Sequence, residues 1–189
     1  MKFKDFEYKR PDYRELEKQF TVLIDRLAAA DNKADFMKVY KDIELLGTQI
    51  STMSTLCSVR HSIDTADEFY AAESDFWDEH WPLINVYENR IDRILFECPF
   101  REELYDEIPE VYFQLIECSL KSFDEKIVPL LQQENRLSTE YGRLKASARI
   151  EFRGETYNLS TITPFTESLD EETRKEASAA ASQNVIRIL

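Results

Sequence analysis

Apolar residues recur at helical spacing along most of the chain. The first stripe follows Pro11, a residue that a helix tolerates in its first turn, and it predicts a helix ending at Asp31-Asn32. The members of this stripe are Leu16, Phe20, Leu23, Ile24 and Leu27. A second stripe from Phe36 to Met53 predicts a helix that extends to about residue 59 and folds back on the first after a short turn.

A third, longer helix is predicted from the capping box Thr65-x-x-Glu68 to about residue 97. Pro82 lies inside it and removes one backbone hydrogen bond, so we expect a kink there rather than an end. Cys98-Pro99 is expected to end the helix, because the residue before a proline avoids the helical conformation.

Two more helices are predicted at 109–122 and at about 124–148, the second opened by a capping box Ser122-x-x-Glu125. In the fourth helix the residues expected to face inward are Val111, Leu115, and Cys118 or Leu120. In the fifth helix the residues expected on the core face are Leu130, Leu137, Tyr141 and Leu144.

The pattern then changes to the alternation of a short β-hairpin near residues 149–158, with Arg153-Gly154 at the turn. A short helix at about 160–168 and a last helix opened by Ser168-x-x-Glu171 complete the chain. The predicted fold is all-α, an antiparallel array of about five to seven helices with one small β-hairpin.

Composition and charge narrow the possible functions. The 189 residues include only three Gly and six Pro, which is unusual for a loop-rich or all-β protein. The net charge of −13 and the absence of a basic patch exclude nucleic acid as the expected partner. The sequence shows neither an apolar leader nor a stretch of about 20 apolar residues, so we expect a cytoplasmic protein without a membrane partner.

Candidate catalytic residues are few. His61 and His80 are the two histidines, and no H-E-x-x-H pair is present. We interpret His80 as a partly buried structural residue and His61 as a helix-end residue. The alternatives are a metal site of both histidines with a carboxylate, and a nucleophile pair of Cys57 with His61 at i, i+4. The favoured interpretation assigns no catalytic, cofactor-binding or metal-binding residue to this chain.

Several stretches, taken in order, carry a family resemblance over about residues 1–177. They are Met1–Phe6, Arg60–Thr65 with Asp67–Tyr70, Cys98–Arg101, Glu134–Tyr141, Ala146–Phe152, Tyr157–Ser160 and Arg174–Ala177. This ordered set resembles the N-terminal region of oligoendopeptidase F-type zinc metallopeptidases, which are relatives of thimet oligopeptidase. The block from Arg60 to Tyr70 is the most specific part.

The resemblance implies an N-terminal helical lobe at residues 1–165 and the truncated start of a catalytic lobe at 166–189, with an atypical tail after residue 177. Such enzymes resemble two helical lobes that close over a channel for short peptides. They hold zinc with H-E-x-x-H on one helix and a Glu on another, and the motif Glu acts as the general base. No such residue can be transferred to a position of this chain.

The resemblance therefore implies a chain that is inactive alone, that lacks zinc, and whose partner is the missing catalytic lobe. An apolar face left exposed would favour self-association. The tail after Ala177 suggests a truncated or frameshifted reading frame, or an engineered fragment. The alternative from another class is a stand-alone helical protein-interaction module.

Overall fold

The structure, a computed structural model, describes residues 5–188, and side chains as far as Gln183; Met1–Lys4 and their part of the family resemblance lie outside this range. The helices are α1 Tyr13–Ala28, α2 Lys33–Ile63, α3 Glu68–Glu97, α4 Glu110–Ser122, α5 Val128–Ala146, α6 Thr163–Thr166 and α7 Glu171–Ile188. The strands are β1 Ile150–Phe152 and β2 Glu155–Tyr157. The predicted all-α fold with one small hairpin is confirmed.

The contacts within the chain divide it into two compact units, unit 1 at Met1–Asn135 and unit 2 at Arg136–Leu189. The division falls inside α5, whereas the sequence places a lobe boundary of the complete enzyme at residue 165. That boundary stays a prediction. None of the helices in the described range is long and apolar enough to cross a membrane.

Short polar side chains begin the first three helices. The Oδ1 atoms of Asp12, Asn32 and Asp67 accept hydrogen bonds from backbone N–H groups of the first turns, and the shortest bond to each is 2.9–3.0 Å long. This is the usual way to satisfy the free N–H groups of a helix start. The predicted capping box at Thr65 is therefore wrong, because Asp67 caps α3. The same helix continues across Pro82 without ending there.

Two other predicted helix starts need the same correction. Ser122 is the last residue of α4, and the next turn is a 3₁₀ helix, Glu125–Ile127, capped by the carboxylate of Asp124. The N-cap of α7 is Asp170, whose Oδ2 lies 2.8 Å from the backbone nitrogen of Thr173. In each case an aspartate close to the predicted serine or threonine takes the cap, because its carboxylate is the stronger acceptor for helix N–H groups.

The core of unit 1 lies between α1, α2, α3 and α4. Its fully buried side chains include Leu27, Phe36, Ile84 and Leu95. A further buried residue, Leu104, comes from a 3₁₀ helix at Arg101–Asp106 that the sequence did not predict. Because its turn is short and its apolar residues are few, this helix has too weak a period to be read from sequence.

A buried carboxylate anchors the N-terminal segment to α3. Glu73 is only 4% exposed, and Arg10 donates two hydrogen bonds to it, at 2.8 and 2.6 Å. The hydroxyl of Tyr8 donates a third at 2.6 Å and accepts one from Trp77 Nε1 at 3.2 Å. Burial alone would raise the pKa of Glu73, but the hydrogen bonds from Arg10 and Tyr8 outweigh it and hold the pKa below its usual range.

Replacing this carboxylate tests how far it stabilises unit 1. Glu73→Gln should lower the free energy of unfolding at pH 7 by about 2–4 kcal/mol, because it removes the charge that pairs with Arg10. Because the folded pKa is lowered, the stabilisation is present above about pH 4.3, the unfolded value, and is lost as pH falls through the folded pKa. Urea unfolding should therefore show the two proteins converging below about pH 4. Equal loss at all pH values, or a similar loss for the exposed control Glu79→Gln, would contradict this.

Unit 2 is built on the hairpin. Ile150 pairs with Tyr157 and Phe152 with Glu155, and the turn between them places Arg153 and Gly154 at φ values of 51° and 84°. Both residues lie in the left-handed region that a two-residue hairpin turn requires, which explains the glycine. The inward side chains of β1 pack on Ile162 and on Ala177 of α7.

Candidate functional site

The two histidines lie in packed environments. His61 is buried in the last turn of α2. His80, half-buried on α3, stacks on Phe76 with ring centroids 4.2 Å apart and contacts the ring of Tyr13 at 4.6 Å. Its Nδ1 lies 2.8 Å from the carbonyl oxygen of Phe76, so that nitrogen donates to the backbone. His80 is thus partly buried, as expected, with one ring nitrogen already engaged.

The described residues do not fit a zinc centre. Between residues 5 and 188, no three His, Cys, Asp or Glu side chains come close enough together to hold a metal ion. A catalytic zinc needs three protein ligands and one open position. The structure therefore brings no carboxylate and second histidine together around His61 or His80.

Cys57 gives no support to a nucleophile pair with His61. It is buried, and burial, followed by the charge of Glu73, raises the pKa of the thiol to about 11. A reactive cysteine needs a lowered pKa and access to solvent. At neutral pH this side chain is a protonated thiol that packs in the core of unit 1.

Contacts in the block from Arg60 to Tyr70 fix the path of the chain. Arg60 donates to the hydroxyl of Tyr70 at 2.7 Å and also to the carbonyl oxygen of Phe6. Together with the Asp67 cap, these contacts join the N-terminal segment, the end of α2 and the start of α3. Arg60, at the end of α2, thus holds both the N-terminal segment and the start of α3 in place.

An apolar face of α4 is exposed. Val111 and Leu115 are 59% and 62% exposed, and Cys118 on the same face is exposed as well. The residues that face inward are Phe113 and Ile116, with Leu120 partly buried. The predicted inward face was therefore wrong except for Leu120, since α4 carries two apolar faces, each with helical spacing, and the sequence pattern cannot tell which is covered.

An apolar face of α5 is exposed in the same way. In unit 2 this face consists of Leu137, Tyr141 and Leu144, which are 56%, 59% and 40% exposed. In the unit 1 part of the helix, Leu130 is 64% exposed, and Val128 is the one buried residue of this fully described helix. The predicted core face of α5 was therefore wrong.

Each of these two helix faces is a candidate binding surface. Single exposed leucines are ordinary on protein surfaces, but rows of them at helical spacing mark a surface that another polypeptide covers. We name Val111, Leu115 and Cys118 the α4 face, and Leu137, Tyr141 and Leu144 the α5 face. Each face can bind a protein surface.

A half-buried carboxylate, Asp92, lies on α3 near two phenols. Tyr40 from α2 and Tyr112 from α4 lie near it, and burial first, then neighbouring groups that include Asp92, raise the pKa of both phenols. Burial, and then the charge of Glu88 one turn earlier, raises the pKa of Asp92 to about 6. No cation is paired with Asp92 among the described residues. Asp92 therefore destabilises the fold when it ionises.

Asp92→Asn should stabilise unit 1 at pH 8. The pKa of Asp92 is about 4 in the unfolded chain and about 6 in the folded protein. Its contribution to the free energy of unfolding is therefore fully present below about pH 4 and is lost as the pH rises through about 6. The expected gain is about 1–2 kcal/mol at pH 8, vanishing at pH 4, as measured by thermal or urea unfolding. Asp25→Asn, at an exposed position of α1, is the control. A gain that is equal at both pH values would contradict this account.

Comparison with known proteins identifies the class. The family model for the peptidase M3 N-terminal domain matches residues 3–123, and the chain belongs to this family. A crystal structure assigned as oligoendopeptidase F from Bacillus anthracis str. Ames is 40% identical, with a TM-score of 0.95 over 99% of this chain. A second oligoendopeptidase F structure and one of PZ peptidase A with an inhibitor are 41% and 39% identical, each with a TM-score of 0.95.

The chain spans about a third of the length of these similar structures, 34% of the first and 33% of the other two. No curated protein matches it. The family resemblance that the sequence predicted is therefore confirmed. The fold of this chain corresponds to one part of these larger peptidases.

Proposed function

We propose that this chain forms the N-terminal lobe of a zinc-dependent oligoendopeptidase, the lobe that covers the substrate channel and limits access to short peptides. The observation that carries the proposal is that a chain of the M3 N-terminal family matches peptidase structures closely over only a third of their length. Zinc, the general base and the rest of the substrate cleft come from the catalytic lobe in this proposal. By itself the chain does not hydrolyse peptides.

The chemistry of the described residues supports the assignment of catalysis to the other lobe. The histidines and Cys57 are engaged in packing, and residues 5–188 contain no trio of potential metal ligands. Peptide hydrolysis by zinc needs a bound water whose pKa the metal lowers, and a base that accepts its proton. The chain can contribute a wall that excludes folded substrates, which requires shape and stability rather than reactive groups.

The exposed α4 and α5 faces also support the proposal. An apolar row that is solvated in the isolated chain costs free energy unless another surface covers it. The alternative function, a stand-alone interaction module, uses the same faces for an unrelated protein. The two differ in the partner: only a peptidase lobe should bind the catalytic portion of a similar peptidase and change its activity.

A reconstitution assay tests the proposal. The chain alone, the C-terminal two thirds of the Bacillus anthracis protein alone, and their mixture would each receive zinc and a quenched fluorescent short peptide. We expect chelator-sensitive cleavage to rise about tenfold or more in the mixture relative to either part, because the substrate is then positioned between two lobes. The chain alone should bind less than stoichiometric zinc.

Two results would contradict the proposal. One is chelator-sensitive turnover by the chain alone, which would require a metal centre that the described residues do not form. The other is a mixture whose activity equals that of its C-terminal part although the two proteins form a complex. The second result, together with binding of the chain to unrelated proteins, would favour the interaction module.

A further inference from the structure

The part of unit 2 whose side chains the structure describes contains a small core. Within the described residues its buried cluster consists of Ile150, Phe152, Ile162 and Ala177. A two-stranded hairpin is marginal by itself, and a unit of this size rarely gains enough from a small core to stay folded without additional packing. More apolar surface should therefore be buried against this unit when the complete protein is assembled.

The α5 face is a row of apolar side chains that unit 2 leaves uncovered, in addition to the single exposed Leu169. Leu137, Tyr141 and Leu144 follow one another at spacings of four and three residues, so they lie on one side of the helix. Glu140, Arg143 and Ser147 line the same shallow depression around them. An apolar centre with an aromatic residue and a rim of mixed charge is typical of a protein–protein interface, whereas a membrane-binding helix would carry a rim of basic residues.

The position of unit 2 in the chain indicates what covers this face. The M3 N-terminal domain model ends at residue 123, before unit 2 begins at Arg136. Unit 2 therefore lies beyond the N-terminal domain of the family, and about two thirds of the first similar peptidase lies outside the region that this chain matches. That part of the polypeptide is present in every molecule of such an enzyme, so it can complete the small core of unit 2.

We infer that the α5 face is the docking surface for the catalytic portion of the peptidase, and that this contact completes the core of unit 2. The inference rests on the proposed function and adds the surface through which the lobes join. The α4 face has no comparable argument, because it lies in unit 1, whose core is large. The second possible occupant of the α5 face is another copy of this chain.

Binding measurements with matched variants test the inference. The complete 189-residue chain is titrated with the C-terminal two thirds of the Bacillus anthracis protein, and Kd is measured by calorimetry. The double variant Leu137→Asp, Leu144→Asp should weaken binding about 100-fold, because it places two charges in a desolvated interface. The control is Leu45→Asp on α2, an exposed leucine of unit 1 at 60% exposure, which should change Kd less than about twofold.

A second double variant with smaller changes keeps the test valid if the charged variant does not fold. Leu137→Ala, Leu144→Ala should weaken binding about tenfold and leave the far-UV circular dichroism spectrum unchanged, because both side chains are exposed in the isolated chain. Sedimentation of each protein alone reports self-association, and the mixtures are also assayed for peptide cleavage.

The outcomes separate the inference from the proposed function. Equal binding by the α5-face variants and the wild-type chain would overturn the inference, while restored cleavage in those mixtures would still support the proposed function. Binding that depends on the α5 face but restores no cleavage would support the docking surface and contradict the proposed function. No binding by the wild-type chain would overturn the inference, and self-association lost in the α5-face variants would assign the face to a second copy instead.

Discussion

Apolar side chains on a helix stabilise a protein only where another surface removes them from water, and this constraint governs the whole structure. The buried stripes of α1, α2 and α3 meet in one core, although Val22, Leu45 and Ile63 on α1 and α2 remain exposed. Helices α4 and α5 satisfy this constraint only in part, because each carries an apolar face that solvent reaches. In the proposed function, the exposed faces of α4 and α5 are surfaces that a partner polypeptide covers.

Within unit 1, polar contacts hold the N-terminal segment against the helices. The carboxylate of Glu73 would be costly to bury alone, and it is stabilised because Arg10 and Tyr8 bring three hydrogen bonds to it. Arg60 holds the same N-terminal segment through the carbonyl oxygen of Phe6. These contacts determine the path of the N-terminal segment across α2 and α3.

The helices, the hairpin and the family could be predicted from sequence because they depend on local periodicity, on turn residues and on an ordered set of motifs. The hairpin is an example, since Arg153-Gly154 supplies the left-handed backbone that the turn needs. The inward faces of α4 and α5 could not be predicted. A periodic row such as Leu137, Tyr141 and Leu144 indicates that a face is apolar, but not whether the covering surface lies in the same chain. The caps were misplaced because Asp67 and Asp170 compete with nearby hydroxyl residues for the same N–H groups.

In the proposed function, zinc and the general base belong to the catalytic lobe. His80 and Cys57 are packed, and no three potential metal ligands come together among residues 5–188. The most direct test is hydroxyl-radical labelling of Tyr141 in the 189-residue chain, with and without the C-terminal two thirds of the Bacillus anthracis peptidase. The account predicts strong labelling of this exposed ring in the isolated chain and marked protection in the mixture. Equal labelling under both conditions, in a mixture shown to form a complex, would contradict it.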